Sequence, residues 1–351
     1  MPGHVTIDAV AGDTGPRDQL SVPTGSMQSA VLVGKVGERL ADRWQAESSL
    51  LGSMCAHALV PSGKLFRPIL LLESAMAVGG DADVVLPAAI GAECGHVASL
   101  VHDDIIDNDD LRRGKPSVQY KFGADNAIVA GDALIFDLFA ALAECRTTGA
   151  QPDRIVAALD VVARCGIDLC RGQSLEAEIR ERMDFDLDAY LTMVKLKTAA
   201  LFKGACECGA LLAGGEDHMV RALGEYAENL GCAFQIHDDV MSYTVDTDVM
   251  GKSDTSDISN GRLTLPVILA YWESDPDGRQ AITEVLVDDG DPIVRRDTLM
   301  EILERTGAIT AAAQRAVQYS RDAIDALRAL PPSPSVDRLR GFAQAAIDRD
   351  R

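Results

Sequence analysis

The chain has 351 residues, 47% hydrophobic and 25% charged, the make-up of a globular protein able to bury a sizeable core. Lys and Arg total 33 against 54 Asp and Glu, giving a net charge of −21 and a pI of about 4.6. That balance speaks against general binding to nucleic acid or to an anionic membrane, while leaving room for a small anionic substrate at a local basic cluster and for Mg²⁺.

Residues 1–27 hold three of the 14 prolines and show little periodicity, so a disordered tail is expected there. The start lacks the basic-then-apolar order of a signal peptide. From residue 28 onward the pattern is helical. No proline separates Pro152 from Pro266, which leaves room for several unbroken helices. Apolar residues recur three and four apart in 216–241 and again in 316–330. Breaks fall at 61–64, 78–83, 113–117, 147–153, 213–217, 244–262, 274–278 and 330–335. Alternating β-branched runs joined by hairpin turns are missing, so strand content should be minimal. No window approaches ~18 continuous apolar residues, and no transmembrane segment is expected. The eight cysteines lie in apolar stretches without zinc-site spacing and read as reduced core thiols of a cytoplasmic protein. The expected fold is all-α: one large helical bundle around a central apolar cavity, spanning 28–351.

The densest charge lies in "HDDIIDNDDLRRGKPS" (102–117). Asp103 and Asp107 stand one helical turn apart, where Cβ atoms are about 5–6 Å from each other. Two carboxylates aimed at one point repel unless a cation lies between them. Hard oxygen ligands of this kind suit Mg²⁺, which completes its shell with water and phosphate. An exposed acidic helix end would read the same way, although acids at a helix C-terminus oppose the macrodipole. Arg112, Arg113 and Lys115 follow at once, and arginine's planar fork matches phosphate oxygens. Alternatively they simply pair with Asp109 and Asp110, which could hold for one arginine and not the other.

A faint echo of the acidic motif appears at "FQIHDDVMS" (234–242), 238 − 103 = 135 positions on. Asp238 and Asp239 there have Gln235 one turn before them and lead toward Lys252, Asp257 and Arg262. Upstream, "GKLFRP" (63–68) sets Lys64 and Arg67 three apart at a helix start, a second basic point suited to a second anion. "KLKTAALF" (195–202) adds Lys197 and Thr198. Each group alone reads as surface charge; together they describe a site for two phosphate esters.

Taken in order, "GKLFRP", "HDDIIDNDDLRRGKPS", "KFGADNAIVAGDALI", "GQSLEAE", "KLKTAALF", "FQIHDDVM", "GKSDTSDISNGRLTLP" and the C-terminal "LRALPPSPSVDRLRGFAQAAIDRDR" resemble the trans-isoprenyl diphosphate synthases of the polyprenyl synthetase family. The resemblance covers essentially everything after the tail. It implies the isoprenoid-synthase type of helical bundle and a Mg²⁺-dependent trans-prenyltransferase. Such an enzyme condenses isopentenyl diphosphate with an allylic diphosphate, with three Mg²⁺ ions when substrate is bound. The implied metal ligands are Asp103, Asp104, Asp107, Asp238 and Asp239. Arg112, Lys197, Thr198, Gln235, Lys252 and Arg262 would hold the allylic diphosphate. Lys64, Arg67, His96 and Arg113 would hold isopentenyl diphosphate, although His96 taken alone reads as a core histidine. The catalytic set is then Asp103, Asp104, Asp107, Arg112, Lys197 and Asp238. The resemblance also implies a homodimer.

Two departures matter. The second aspartate motif ends in Ser242 where the family has aspartate, which is expected to weaken the third Mg²⁺ more than to abolish activity. Arg262 stands where lysine is usual. Upstream of the first motif, Gly95, Ala98 and Ser99 are small and form the expected chain-length wall. Their smallness favours a product of C20 or longer, unless it merely lets helices pack closely. Phe136 and Phe139 are candidate floor residues. Two other readings remain: a weakly active or non-catalytic partner subunit of a heteromeric synthase, motivated by Ser242, and a class I terpene cyclase. The cyclase would need an Asn/Ser/Glu metal motif that the chain lacks.

Overall fold

A computed structural model describes residues 27–45, 47–244, 261–287 and 290–348. Met27 already opens the first helix, so the expected tail up to residue 26 lies outside the described residues. Fifteen α-helices account for nearly all of the described chain. They are α1 Met27–Gln45, α2 Leu50–Leu59, α3 Phe66–Ala77, α4 Ala82–Ile106, α5 Val118–Phe122, α6 Ala124–Thr148, α7 Pro152–Arg182, α8 Leu187–Val194, α9 Ala200–Leu212, α10 Asp217–Thr244, α11 Leu265–Glu273, α12 Pro276–Val287, α13 Pro292–Thr306, α14 Ala308–Ala326 and α15 Pro334–Ala345. The all-α expectation holds.

Local chemistry sets the boundaries. Asp81 caps α4, its side chain accepting from the Asp83 amide, and Ser333 caps α15 just before Pro334 at the first helical position. Gly149 ends α6 and Gly307 ends α13, both with positive φ. Between α8 and α9 the chain makes a π-helical turn, Lys195–Ala199. Such turns carry an extra residue and reset the direction in which side chains point.

Helix α4 packs most extensively on α6, α10 on α14, and α3 on α9. The apolar interior has two lobes. One gathers α1–α6, α9 and α15, the other α8 and α11–α13, and α7 and α14 contribute to both. Helix α10 serves both, with Tyr226 and Leu230 in the first and Cys232 and Ile236 in the second. Among the described helices α4 alone is long and apolar enough to cross a membrane, which the continuous-run criterion passed over. Here it is a core helix, with Val85, Ala89, Cys94 and Ala98 fully buried against its neighbours. Seven of the eight cysteines are buried, Cys170 is exposed, and none is paired.

The expected break at 113–117 contains a small surprise. Leu111–Arg112 and Lys115–Pro116 pair antiparallel, with Arg112 opposite Lys115. The two-residue turn is Arg113-Gly114, with φ of 53° and 73°. Positive φ at both central positions is what a tight hairpin needs to follow the strand twist. Glycine takes that conformation freely, whereas arginine is held there against its steric preference.

Candidate active site

Asp103 and Asp104 occupy the last turn of α4, and Asp107 closes it, its amide donating to the Asp103 carbonyl at 2.8 Å. Adjacent helical residues point about 100° apart, so the two neighbouring aspartates separate. Asp103 faces Lys197 on the π-helical turn, with Asp107 and Glu176 close enough to act on its charge. Burial pushes the Asp103 carboxyl above its ordinary range; Lys197 pulls it down, and Asp107 and Glu176 raise it further. Lys197 Nζ donates to Glu176 Oε2 on α7 at 2.6 Å. Gly172 permits this approach, since a Cβ there would overlap the Lys197 backbone nitrogen. Arg262, just before α11, pairs with Asp107. Both outer carboxylates of the motif thus face cationic side chains.

Asp104, on the next face of the helix, has its own set of contacts. It is buried and its Oδ1 accepts from Arg112 Nε at 2.7 Å and also from Nη2. Arg112 reaches Asp109 at 3.4 Å as well. The acidic loop is pinned from α5, where Gln119 Nε2 donates to the carbonyls of Asp104 (2.6 Å) and Asp109 (3.0 Å). Asp239 likewise has its own set. Its carboxylate accepts from Tyr190 (2.6 Å), from the Leu265 amide (3.1 Å) and from Gln235 Nε2 (3.0 Å), tying α10 to α8 and α11. A short acid at a buried helix crossing is held by protein donors because an unpaired charge there would be costly. Gln235 in turn accepts from Thr198 Oγ1 at 2.9 Å, which joins those two expected site residues. Ser242 Oγ donates back to the Asp238 carbonyl at 3.3 Å, one turn earlier. Lys252 lies outside the described residues.

On the other side of the hairpin is a cavity of about 370 Å³, lined by Lys64, Arg112, Arg113, Lys115 and His57, with Val97 and Val101 of α4 as its apolar wall. The hairpin turn divides the arginine pair: Arg112 points to Asp104, whereas the Arg113 guanidinium lies against Gly63, where a Cβ would overlap it. Arg67, in the first turn of α3, has Cζ 4.4 Å from the centre of the Phe202 ring. Burial lowers its pKa to about 10, partly countered by Glu93 and deepened by Arg113. Glu93 is buried on α4, and burial raises its carboxyl, against the pull of Arg113 and Arg67. His96 follows it on the same helix face. Burial, then Arg67, Arg113 and Arg112, hold its imidazole well below the usual 6.5, so it is neutral at pH 7. Among the described residues its buried Nδ1 has no hydrogen-bond partner.

Glu93, Glu176, Tyr190, Phe202 and His57 were not singled out as site residues from sequence. Glu93 could have been found three residues before His96, and Phe202 at the end of "KLKTAALF". Nothing local marks Tyr190, whose role depends on a residue 49 positions away.

The small residues above Asp103 are closely packed. Ala98 is fully buried. A Cβ on Gly95 would lie 2.9 Å from Leu138 Cδ2 of α6, and one on Gly91 would press on the Leu138 carbonyl at 3.0 Å. Ser99 donates to the His96 carbonyl at 2.7 Å. Phe136 is 72% exposed and is no floor; Phe139 is partly buried.

Asp103 and Asp107 offer hard oxygen donors one turn apart beside cations that an ion-bound phosphate could replace, which fits a divalent metal such as Mg²⁺. Among the described residues no three acidic, His or Cys side chains are already gathered as a metal cluster.

Comparison with known proteins identifies the family. The profile of the polyprenyl synthetase family matches residues 48–303. The short chain isoprenyl diphosphate synthase of Methanothermobacter thermautotrophicus is 35% identical over 294 residues, 84% of this chain and 89% of that protein. The geranylgeranyl diphosphate synthase of Methanosarcina mazei is 35% identical over 288 residues, 82% and 86% of the two chains. Among solved structures, a polyprenyl synthase from Caulobacter crescentus, complexed with calcium and isoprenyl diphosphate, superposes with a TM-score of 0.85. It is 28% identical, and the match covers 95% of this chain and 99% of that one. The chain belongs to the polyprenyl synthetase family.

Proposed function

We propose that the protein is a chain-elongating prenyltransferase that condenses isopentenyl diphosphate with an allylic diphosphate to give a trans-polyprenyl diphosphate of C20 or longer. The observation that carries this reading is the division of charge around the hairpin. Asp103, Asp107, Lys197 and Arg262 form one group, Lys64, Arg113 and Lys115 line a cavity, and Arg112, paired with Asp104 of the acidic motif, reaches the edge of that cavity as well. Two diphosphates need two such places. The relatives named geranylgeranyl and short chain isoprenyl diphosphate synthase support the same reading.

Asp103 and Asp107, with Asp238 from α10, would hold Mg²⁺, which when bound would supply Lewis-acid neutralisation of the departing allylic diphosphate. Lys197 and Arg262 release the carboxylates they now contact and take phosphate oxygens, with Arg112, Lys252, Thr198 and Gln235 as further donors. These donors favour charge that develops on the leaving group, so they lower the barrier to ionisation. Lys64, Arg67, Arg113 and neutral His96 hold isopentenyl diphosphate with its double bond toward the allylic cation. The apolar residues of α4 exclude water, which would quench that cation. The final proton passes to the departed diphosphate, so no side-chain base is required.

Self-association is part of the reading. Helix α6 exposes Ile128, Val129 and Phe136 on one face, and α7 exposes Val156 and Ile167. Such faces are covered in oligomers.

Incubation of the purified protein with Mg²⁺, isopentenyl diphosphate and C5, C10, C15 or C20 primers, followed by mass spectrometry, tests the function. The expected result is a ladder reaching C20 or beyond. Absence of product with every primer would exclude it. If Mg²⁺ and diphosphate also failed to bind in a calorimetric titration, the partner-subunit reading would take its place. That second reading rests on Ser242, whose hydroxyl contacts its own helix where the family places a carboxylate.

A further inference from the structure

Arg67 is an unusual charge. Its Nε is buried, and among the described residues its guanidinium makes no hydrogen bond or ion pair. Glu93 acts on it only through its field. What touches its face is the ring of Phe202, 4.4 Å from Cζ. Phe202 is 1% exposed and cannot swing away. Its ring packs against Phe234 at 5.4 Å, Phe234 against Phe66 at 6.0 Å, and Phe66 against Phe342 of α15 at 5.7 Å.

A guanidinium over an aromatic face is attracted by the ring quadrupole, while its in-plane N–H groups stay unspent. A carboxylate partner would have consumed those same donors. A ring is therefore the neighbour that orients the arginine without competing for an anion. Position matters as well. Phe202 stands four residues after Thr198, and Phe234 directly precedes Gln235, so the rings are continuous with the segments proposed to hold the allylic diphosphate.

We propose that Phe202 is a positioning residue for isopentenyl diphosphate: its ring holds the Arg67 guanidinium in the pose that receives the second diphosphate. This rests on the reading of Arg67 as a contact of that substrate. The test places pentafluorophenylalanine at position 202, which keeps the shape of the ring and reverses its quadrupole. Phe202→Leu and Phe202→Tyr accompany it, with Arg67→Gln as the reference. Steady-state constants for both substrates and the melting temperature are read for each.

The expected result is an about tenfold rise in KM for isopentenyl diphosphate in the fluorinated and Leu variants. The KM for the allylic diphosphate and the melting temperature of the fluorinated protein stay unchanged, and Tyr restores the wild-type value. Combining Phe202→Leu with Arg67→Gln should add nothing to Arg67→Gln alone. An unchanged KM in the fluorinated protein, while Arg67→Gln raises it, overturns the positioning role and leaves the site reading standing. An unchanged KM in Arg67→Gln removes the site reading itself and the proposal with it.

Discussion

Arg112 and Arg113 are chain neighbours in different surroundings because a two-residue turn with positive φ at both positions lies at their junction. Sequence left open whether both arginines merely pair with local acids; Arg112 does, with Asp104 and Asp109, whereas Arg113 lies against Gly63, and both border the cavity. The acidic and basic residue types were legible because the chemistry of a metal-bridged diphosphate demands them. Their directions were not, since direction depends on helical phase and on turn geometry. Asp239 illustrates the limit. Its adjacency to Asp238 suggests a shared role, yet it holds α8, α10 and α11 together. Tyr190→Phe should lower stability by about 1–3 kcal/mol, because it strips a donor from a buried carboxylate. Chemical denaturation would measure this, and an unchanged midpoint would contradict it. His96 gives a pH prediction. The folded imidazole resists protonation, whereas the unfolded one titrates near its ordinary 6.5. Unfolding therefore takes up a proton in acid. Stability is undiminished by His96 above that pH and falls below it, by at most about 1.4 kcal/mol per pH unit. Between pH 7 and 5 the wild type should lose more stability than His96→Gln. Raised Glu93 acts in the opposite direction in both proteins and so cancels from their difference. Parallel denaturation midpoints across that range would contradict the assignment.

Helix α4 shows what periodicity conveys and what it conceals. Its helical character and apolar composition were readable, but small residues have two explanations. Gly91 and Gly95 fit the close-packing one, because Leu138 of α6 occupies the space beside them. We propose that Leu138 on the facing helix acts together with the small residues of α4 to limit product length. Leu138→Ala should lengthen the main product by one or more isoprene units and cost about 2–5 kcal/mol of stability. Product mass after incubation with a C15 primer reads the first effect; an unchanged length would put the floor elsewhere. The hairpin at 111–116 was the element least visible from sequence. Arg-Gly is not among the common signals for such a turn, and arginine holds its conformation through tertiary context.

At the scale of the molecule, the all-helical character was legible in proline spacing and in the run of breaks. The division of the core into two lobes joined by α7, α10 and α14 was not, because it depends on contacts between segments far apart in the chain. The exposed apolar face of α6 predicts a dimer. Phe136→Asp should shift the protein to monomer in sedimentation velocity without unfolding it, and a dimer of undiminished stability would contradict that interface. The central claim is that the hairpin separates two diphosphates. Steady-state kinetics of Arg112→Gln and Arg113→Gln, each titrated with both substrates, tests it most directly. Arg113→Gln should raise KM for isopentenyl diphosphate by about tenfold to a hundredfold and leave that of the allylic substrate alone, while Arg112→Gln should act on the allylic substrate and on kcat. Parallel shifts of both constants in both variants would mean that the two arginines share one phosphate site.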